Sequence, residues 1–291
     1  MKTFHRFPTE HKDIIHDVSY DFYGKRLATC SSDQRIKVWD LDEHSNWTLT
    51  AEWKAHKGSV WRVEWAHPEF GQILASCSFD RTVCIWEEGE EEEKGKGTKW
   101  HKKIELLDSK DSVKDIKFAP HHMGLKLATC SADGYSHKGG SSSISWNPSP
   151  FDRPSMVVGS GDPDIKVWDF NEAQGRWKVA YTLSGHTDEV HAVAWAPNLG
   201  RTFNLIASSS KDKTIRIWKL PTTHSTTLTQ PIEAAVLKYH NDAVWRVEWN
   251  ITGTILASSG DDGTVCLWKA DFKGQWLLLT TINEEDDDHN I

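Results

Sequence analysis

Four types of side chain that form hydrogen bonds or transfer protons recur together along this chain: histidine, serine or threonine, aspartate and tryptophan. In the stretch 56–86 they are His56, Ser76, Asp80 and Trp86, with six residues from the aspartate to the tryptophan. Histidine, serine and aspartate form nucleophilic triads, in which the imidazole activates the hydroxyl. The same groups can also hydrogen-bond in series with an indole N–H as a buried structural network. The pattern in the rest of the chain decides between these interpretations.

The set recurs, with six residues from aspartate to tryptophan in five units, which favours the structural interpretation. The predicted network residues are His11, Asp33, Trp39, His56, Asp80, Trp86, Asp133, Asp162, Trp168, His186, Asp212, Trp218, His240, Asp262 and Trp268. The candidate hydroxyls, each four residues before an aspartate, are Thr29, Ser76, Thr129, Ser208 and Ser258. A catalytic site would break this symmetry with one special constellation, and the sequence contains none. We therefore expect no catalytic residue and predict that the chain is not an enzyme.

The elements that position these residues are short strands joined by turns. In the reference unit VWRVEW and TVCIW alternate apolar and polar residues, and ILASCS is a short apolar run between them. Six units at a period of roughly 40–50 residues indicate blades of four strands. The predicted fold is an all-β, six-bladed β-propeller forming a single domain over residues 1–283, with an acidic, disordered tail at 284–291. The predicted blades are 11–54, 55–108, 109–136, 137–184, 185–239 and 240–282.

The third unit is predicted to be truncated after Gly134. From the turn aspartate to the next first strand there are 11 residues, Asp133 to Ile144, against 30 from Asp33 to Val63. The third and fourth strands of the unit therefore have too few residues. A second alignment, in which 137–139 repeats His56 and the two residues after it, removes the same two strands and leaves the fourth unit whole. An unpaired strand edge results in either case.

Composition excludes several classes of function. A net charge of −8 over 291 residues argues against a nucleic acid as the main partner, because such binding relies on basic patches. No run of about 18 apolar residues is present, so we predict no membrane insertion. His121 and His122 are interpreted as a polar turn because no cysteine or carboxylate stands at ligand spacing. We predict no metal and no cofactor, and interpret the five cysteines as small buried apolar residues.

The ends of the repeat array predict an open ring. The first unit begins at its inner strand and the last ends at its outer strand, so no blade combines both termini. The seam between blades one and six could then accept a strand or a blade from another chain. The predicted partner-binding residues are Ile14, Ile36, Val38, Trp245, Val265 and Leu267. A rival hypothesis is a reader of charged peptides that uses the channel-facing residues Arg62, Lys114, His191 and Arg246.

Long blocks of the sequence resemble one branch of the WD-repeat family. IIHDVSYDFYGKRLATCSSDQRIKVWDL and VWRVEWAHPEFGQILASCSFDRTVCIWEE resemble the Sec-thirteen/Seh branch as a whole. FAPHHMGLKLATCSADG and WNITGTILASSGDDGTVCLWKA are more similar to its Seh members, which are nucleoporins. The resemblance covers nearly the whole chain, and the interruption after Gly134 is its main departure.

This resemblance implies a structural scaffold subunit whose open propeller is completed in trans by a blade from an α-solenoid nucleoporin. It implies the nuclear pore's Y-shaped outer-ring complex at the nuclear envelope, with other outer-ring nucleoporins as partners and a role in nucleocytoplasmic transport and mRNA export. It also implies the amino-acid-sensing complex upstream of TOR signalling, at the lysosomal or vacuolar surface. The alternatives are a vesicle-coat (COPII-type) cage subunit of the same branch and a peptide-reading adaptor.

Overall fold

The computed structural model describes residues 7–89, 99–133, 140–222 and 228–283. These residues are almost entirely β-strands and turns, and two single 3-10 turns, Pro68–Phe70 and His121–Met123, are the only helical segments described. The predicted acidic tail at 284–291 lies outside the described residues. No helix in the described ranges is long and apolar enough to cross a membrane.

Consecutive strands form six antiparallel sheets, because each alternating segment is followed by a tight turn that returns the chain beside it. Five sheets have four strands in sequence order, and one has two. The first strand of each sheet pairs with the second, and the pairing register shifts by one residue after the first pair. Such a shift is a β-bulge or a similar irregularity. The chain divides into two compact units, which within the described residues are 7–133 and 140–283.

The unit 7–133 contains three sheets, named A, B and C in chain order. Sheet A consists of β1 (Ile15–Tyr20), β2 (Arg26–Ser31), β3 (Arg35–Leu41) and β4 (Trp47–Lys54). Sheet B consists of β5 (Val60–Trp65), β6 (Ile73–Ser78), β7 (Val83–Gly89) and β8 (Lys99–Leu106). Among the described residues, sheet C consists of β9 (Val113–Phe118) and β10 (Leu127–Ser131). The predicted shortage of residues begins at 134–139, which lie outside the described residues.

The unit 140–283 contains sheets D, E and F, each with four strands. Sheet D consists of β11 (Ser141–Trp146), β12 (Ser155–Ser160), β13 (Ile165–Asn171) and β14 (Arg176–Leu183). Sheet E consists of β15 (Val190–Trp195), β16 (Phe203–Ser210), β17 (Ile215–Pro221) and β18 (Ile232–Leu237). Sheet F consists of β19 (Val244–Trp249), β20 (Ile255–Gly260), β21 (Thr264–Ala270) and β22 (Trp276–Asn283).

Sheets pack face to face within each unit, and the two faces of a sheet have different neighbours. Side chains alternate between faces along a strand, so Trp86 of β7 lies on one face and Val83 and Ile85 on the other. The face that carries the third-strand tryptophan, here called the tryptophan face, packs on the preceding sheet: Trp86 lies in one core cluster with Ile36 and Val38 of sheet A. The opposite face, here called the aliphatic face, packs on the following sheet. The same arrangement joins sheets D to E and E to F.

Candidate functional site

The structure joins the repeated polar residues of sheet B into one hydrogen-bonded chain. Trp86 Nε1 donates to Ser76 Oγ at 2.9 Å, and His56 Nε2 lies 2.7 Å from the same oxygen. The Asp80 carboxylate at Nδ1 can only accept, so in the neutral imidazole Nε2 accepts from the Ser76 hydroxyl, which itself accepts from the indole N–H. His56 Nδ1 then carries the proton and donates to Asp80 Oδ2 at 3.2 Å. Every polar group in this series has a partner, which satisfies the condition for burying it.

Sheets A, E and F contain the same series, at equivalent positions. In sheet A, Thr29 Oγ1 lies 2.9 Å from His11 Nε2 and 3.2 Å from Trp39 Nε1, and His11 Nδ1 lies 2.8 Å from Asp33. The residues of sheets E and F are His186, Ser208, Asp212 and Trp218, and His240, Ser258, Asp262 and Trp268. Ser76 and Ser208 have no solvent-exposed surface, so a substrate cannot reach these hydroxyls. The four networks therefore stabilise the blades and do not form a reactive site.

Three of the predicted network residues are not brought into a complete network among the described residues. In sheet D the hydroxyl position is occupied by Val158, so Trp168 and Asp162 have no serine or threonine to join them. In sheet C no tryptophan follows Asp133, which accepts the backbone N–H of Lys110 at 3.4 Å. The network predicted for Asp162 and Trp168 is corrected accordingly, whereas the role of Asp133 stays a prediction.

A threonine two residues after the aspartate also belongs to the network in three sheets. Thr82 donates to Asp80 Oδ1 at 2.6 Å, and Thr264 donates to Asp262 Oδ1 at 2.7 Å. Thr214 makes the same contact with Asp212. The recurring Asp-x-Thr triplet was visible in the sequence and was missed. The residue between them has positive φ, +71° at Arg81, so the hairpin turns tightly and the aspartate accepts from its own loop.

These hydrogen bonds lower the pKa values of the network carboxyl groups. Burial alone would raise the pKa of Asp262, but hydrogen bonds from Thr264, the backbone N–H of Asn241 and His240 outweigh burial and lower it to about 2. The pKa of Asp80 is lowered against burial by His56 and Thr82. Burial lowers the pKa of His186, although Asp212 acts in the opposite direction. The fold thus favours the neutral imidazole of His186 and the ionised carboxylates of Asp80 and Asp262.

Acid should destabilise the fold in two steps, and Asp262→Asn should remove part of the second. Below about pH 6.5 the unfolded chain takes up a proton at His186 that the folded chain resists, so stability falls with pH. Below about pH 4 the unfolded chain protonates the aspartates first, and the contribution of Asp262 is lost as pH approaches its folded pKa of about 2. Urea unfolding from pH 7 to 2 should show a shallower fall for Asp262→Asn below pH 4. Equal slopes would contradict the assignment.

A second buried polar cluster crosses the first strands of sheets A, B and C. Arg62 lies 3.1 Å from Asp17 Oδ1 and 3.0 Å from Asp115 Oδ1, and Asp115 has no exposed surface. Burial alone would lower the pKa of Arg62, but the two carboxylates raise it. This arginine joins three sheets and is unavailable to a peptide. His191 is also engaged, since its ring stacks on Trp245 at 4.0 Å between centroids. The peptide-reading hypothesis loses two of its four residues.

Two of the six predicted partner-binding residues do not lie on an open face. Ile36 and Val38 are fully buried, because they stand on the aliphatic face of sheet A, which packs on sheet B. Trp245 is 48% exposed, but it stacks on His191 of the preceding sheet E. The prediction of outward-facing positions is wrong for Ile36 and Val38, whereas Trp245 remains accessible. Equivalent residues lie on the same kind of face in each sheet. That face is covered wherever another sheet follows.

The remaining predicted residues are accessible. Ile14 is 68% exposed just before β1. Val265 and Leu267 are half-buried on the aliphatic face of sheet F, which no described sheet of its unit follows. Cross-strand pairing puts Ile282 opposite Val265 and Leu277 opposite Lys269, on the same face. Leu277 is 52% and Ile282 36% exposed. Sheet F therefore presents an apolar face, defined by Val265, Leu267, Leu277 and Ile282.

Sheet A presents an apolar face of the opposite kind, its tryptophan face. Val18 and Tyr20 of β1 and Leu49 of β4 pair with residues of this face and are 50%, 58% and 42% exposed. Part of the face is covered by the chain preceding β1. Phe7 packs edge-on against Trp39 at 5.0 Å, and the backbone carbonyls of Thr9 and Glu10 accept from Lys37 Nζ at 3.0 Å. Residues 7–14 form no strand, so this cover adds nothing to the hydrogen-bonded sheet.

The described residues offer no group of three or more histidine, cysteine or carboxylate side chains that could hold a metal ion. His121 stacks on His67 at 4.6 Å between centroids and lies edge-on to His122. All five cysteines are buried, as expected from their apolar surroundings. Burial raises the pKa of the Cys30, Cys77 and Cys130 thiols, which keeps them protonated.

Comparison with known proteins agrees with the repeat pattern. The WD40 family (WD domain, G-beta repeat) matches residues 2–40, 47–87, 177–219 and 233–269. The chain is 49% identical to nucleoporin SEH1-A of Xenopus laevis over 307 residues, covering 93% of this chain and 85% of the relative. It is 49% identical to nucleoporin SEH1 of Homo sapiens, covering 92% of this chain and 84% of the relative. By repeat architecture and by sequence, the chain is a member of the nucleoporin SEH1 family of WD40 β-propeller proteins.

Proposed function

We propose that this chain is a non-catalytic scaffold subunit of the nuclear pore's Y-shaped outer-ring complex. In the proposal its six blades form an open ring, which an α-solenoid nucleoporin completes by donating one blade. Two apolar sheet faces carry the proposal: the tryptophan face of sheet A and the aliphatic face of sheet F. Localisation at the nuclear pore complex follows from membership of the nucleoporin SEH1 family.

The two faces are complementary to the faces of one additional blade. Within each unit a tryptophan face packs on the aliphatic face of the sheet before it. Among the described residues, no sheet of its own unit precedes sheet A, and no sheet of its own unit follows sheet F. A single four-stranded blade has one face of each kind. A blade donated to sheet A would bury Val18, Tyr20 and Leu49, and a blade donated to sheet F would bury Leu277 and Ile282.

The truncated third blade is part of the same proposal. In the described ranges, sheet C has two strands where the other sheets have four. The alignment with the Xenopus laevis relative extends over 307 residues, more than the 291 of this chain, which supports an internal interruption. The two faces that carry the proposed function belong to sheets A and F, so a shortened sheet C leaves them intact.

We include in the proposal the finer roles that the family resemblance implies. These are contacts with other outer-ring nucleoporins, participation in mRNA export, and membership of the amino-acid-sensing complex upstream of TOR signalling. Each would use a solenoid that donates a blade, so one binding mechanism serves them all. A vesicle-coat cage subunit would use the same mechanism with a different solenoid, and the identity of the partner distinguishes the two.

Purification of the tagged chain from its own cells should test this function directly. We expect an α-solenoid nucleoporin to remain bound in about 0.5 M salt, because an apolar interface is not weakened by ionic screening. Mass spectrometry of the retained proteins identifies the solenoid. Loss of every partner at that salt concentration, or retention of vesicle-coat proteins alone, would contradict the proposal.

A further inference from the structure

One pentapeptide occurs twice in this chain and is buried to different extents. LATCS forms residues 27–31 of β2 and residues 127–131 of β10. In sheet A all five residues are buried, and Thr29 is 1% exposed. In sheet C only Cys130 is buried, and Thr129 is exposed. Because the residues are identical, the difference in burial must come from the segments that surround each strand.

The two strands differ in their hydrogen-bonded neighbours. β2 lies between β1 and β3, and Leu27 pairs directly with Trp39. β10 is paired only with β9 among the described residues. Within the part of the chain that the structure describes, the second edge of β10 therefore has no partner strand, and such an edge is a template for another strand. The LATCS sequence of β2 pairs with a third strand in sheet A. The same sequence in β10 has no third strand beside it among the described residues of sheet C.

The same absence exposes apolar side chains on the aliphatic face of sheet B. Val83 pairs with Leu106 and Ile85 pairs with Ile104. Leu106 is 37% and Ile104 51% exposed, whereas Leu183 and Leu237, the residues equivalent to Leu106 in sheets D and E, are 2% and 5% exposed. Ile85 is half-buried, and its equivalents in sheets A, D and E, Val38, Val167 and Ile217, are almost fully buried.

The other sheets show what covers these positions. Val38 packs in a cluster with Trp86 and Trp100, from the third and fourth strands of the following sheet. Val167 is covered by Trp218 of the following third strand, and Ile217 by Trp268 with Leu278 of the following fourth strand partly buried beside it. The cover is in each case a third-strand tryptophan, with apolar residues of the neighbouring strands. Sheet C has neither strand in the described residues.

We propose that the free edge of β10, together with the apolar ledge formed by Ile85, Ile104 and Leu106, binds a tryptophan-bearing β-hairpin of another polypeptide. The hairpin adds two antiparallel strands to sheet C by main-chain hydrogen bonds to β10. Its tryptophan lies over the ledge, opposite Leu127, as Trp39 lies opposite Leu27. The indole N–H then has Thr129 Oγ1 as its acceptor, as Trp39 has Thr29.

The chain has little capacity to supply this hairpin itself. Only residues 132–140 separate β10 from β11, whereas the third and fourth strands of sheet A occupy 35–54. Every other described strand is already paired with its neighbours in sequence, so a second copy has no described hairpin to donate. The occupant is therefore a different polypeptide. This site is separate from the faces of sheets A and F that carry the proposed function.

A peptide copying residues 35–54 is the matched probe, because in this chain it follows the same LATCS sequence. Fluorescence anisotropy of the labelled peptide with the full chain should show saturable binding. The double variant Ile104→Asp, Leu106→Asp should bind at least about tenfold more weakly, because two carboxylates would replace apolar contacts. Ile232→Asp, at a comparably exposed position on the outer strand of sheet E, should bind like the unmodified chain.

Two further measurements keep the test independent of how the variants fold. A probe peptide carrying alanine in place of Trp39 should bind the unmodified chain at least about tenfold more weakly. Hydrogen exchange of the amides of 127–131 should slow when the peptide is added, and that of 27–31 should not change. Absence of saturable binding, or binding that protects residues outside sheet C, would overturn the proposal. A dimer in sedimentation that Ile104→Asp, Leu106→Asp dissociates would also overturn it, because the occupant would then be a second copy.

Discussion

Leu277→Asp and Ile282→Asp are expected to abolish retention of the proposed solenoid partner while leaving the chain folded. Both side chains are exposed on the aliphatic face of sheet F, so a carboxylate there remains solvated in the free chain. A donated blade would bury it without a counter-ion, at a cost of several kcal/mol. About 3 kcal/mol already lowers affinity by more than about 100-fold. Quantitative mass spectrometry of the tagged variants measures the loss.

Val18→Asp and Leu49→Asp on the tryptophan face of sheet A should have the same effect, because the proposed blade contacts both faces. Ile232→Asp is the matched control, since this residue is 47% exposed on a sheet whose neighbours in its unit are both present. It should leave the partner bound. If Ile232→Asp were as damaging as Leu277→Asp, or if the variants of sheet A retained the partner, the proposed site would be wrong.

The same experiment distinguishes exposed positions from the buried ones that sequence reasoning selected. Val38→Asp would place a carboxylate in the core between sheets A and B, where Val38 has no exposed surface. This variant should lose its fold, and with it all binding. A loss of partner through Val38 would therefore carry no information about the interface. Folding is checked by circular dichroism before each binding measurement.

Thr29→Ala is expected to cost about 2 to 4 kcal/mol of unfolding free energy, whereas Thr129→Ala should cost less than about 0.5 kcal/mol. Thr29 Oγ1 is the shared partner of His11 and Trp39, and both are left buried without it. Each buried, unsatisfied group costs about 1 to 3 kcal/mol. Thr129 occupies the same place in the same pentapeptide, but it is exposed and no tryptophan follows it in its sheet.

Urea unfolding of the two variants and the unmodified chain measures the difference, with the midpoint and slope fitted together. The two substitutions remove the same atoms from the same local sequence, so intrinsic strand propensity cancels between them. A similar loss of stability in both variants would show that the networks contribute no more than an ordinary threonine in a strand. A large loss of stability in Thr129→Ala alone would contradict the role assigned to the four hydrogen-bonded networks.

Most of the fold was predictable because the local pattern and the global structure agree. Alternating segments such as VWRVEW became β5 and β19, and the turn aspartates lie where the spacing to tryptophan requires. The short interval after Asp133 predicts a truncated third unit, and among the described residues sheet C has two strands. The Asp-x-Thr triplet at Asp80 and Thr82 was equally visible. Its hydrogen bond joins residues two positions apart within one turn, whereas the repeat spacing identifies residues that are far apart in the chain.

The surfaces were not predictable to the same degree. Alternation assigns Ile36 and Leu267 to the same face of their respective sheets. Alternation does not say whether another sheet covers that face, because this depends on the place of the sheet among the consecutive sheets. Arg62 shows the same limit: its residue type suggested a channel-facing contact, yet carboxylates from the two neighbouring sheets enclose it. No spacing within one strand encodes contacts that three separate strands create.

The sequence alone determined which segments are strands, which residues can satisfy one another's hydrogen bonds, and that one repeat is incomplete, because these properties depend on residues close together in the chain. Only the tertiary structure decided which faces stay open and why identical LATCS strands differ in burial, because burial depends on distant segments packing against a residue. That distinction separates Val38, which holds two sheets together, from Leu277, which remains available to a partner.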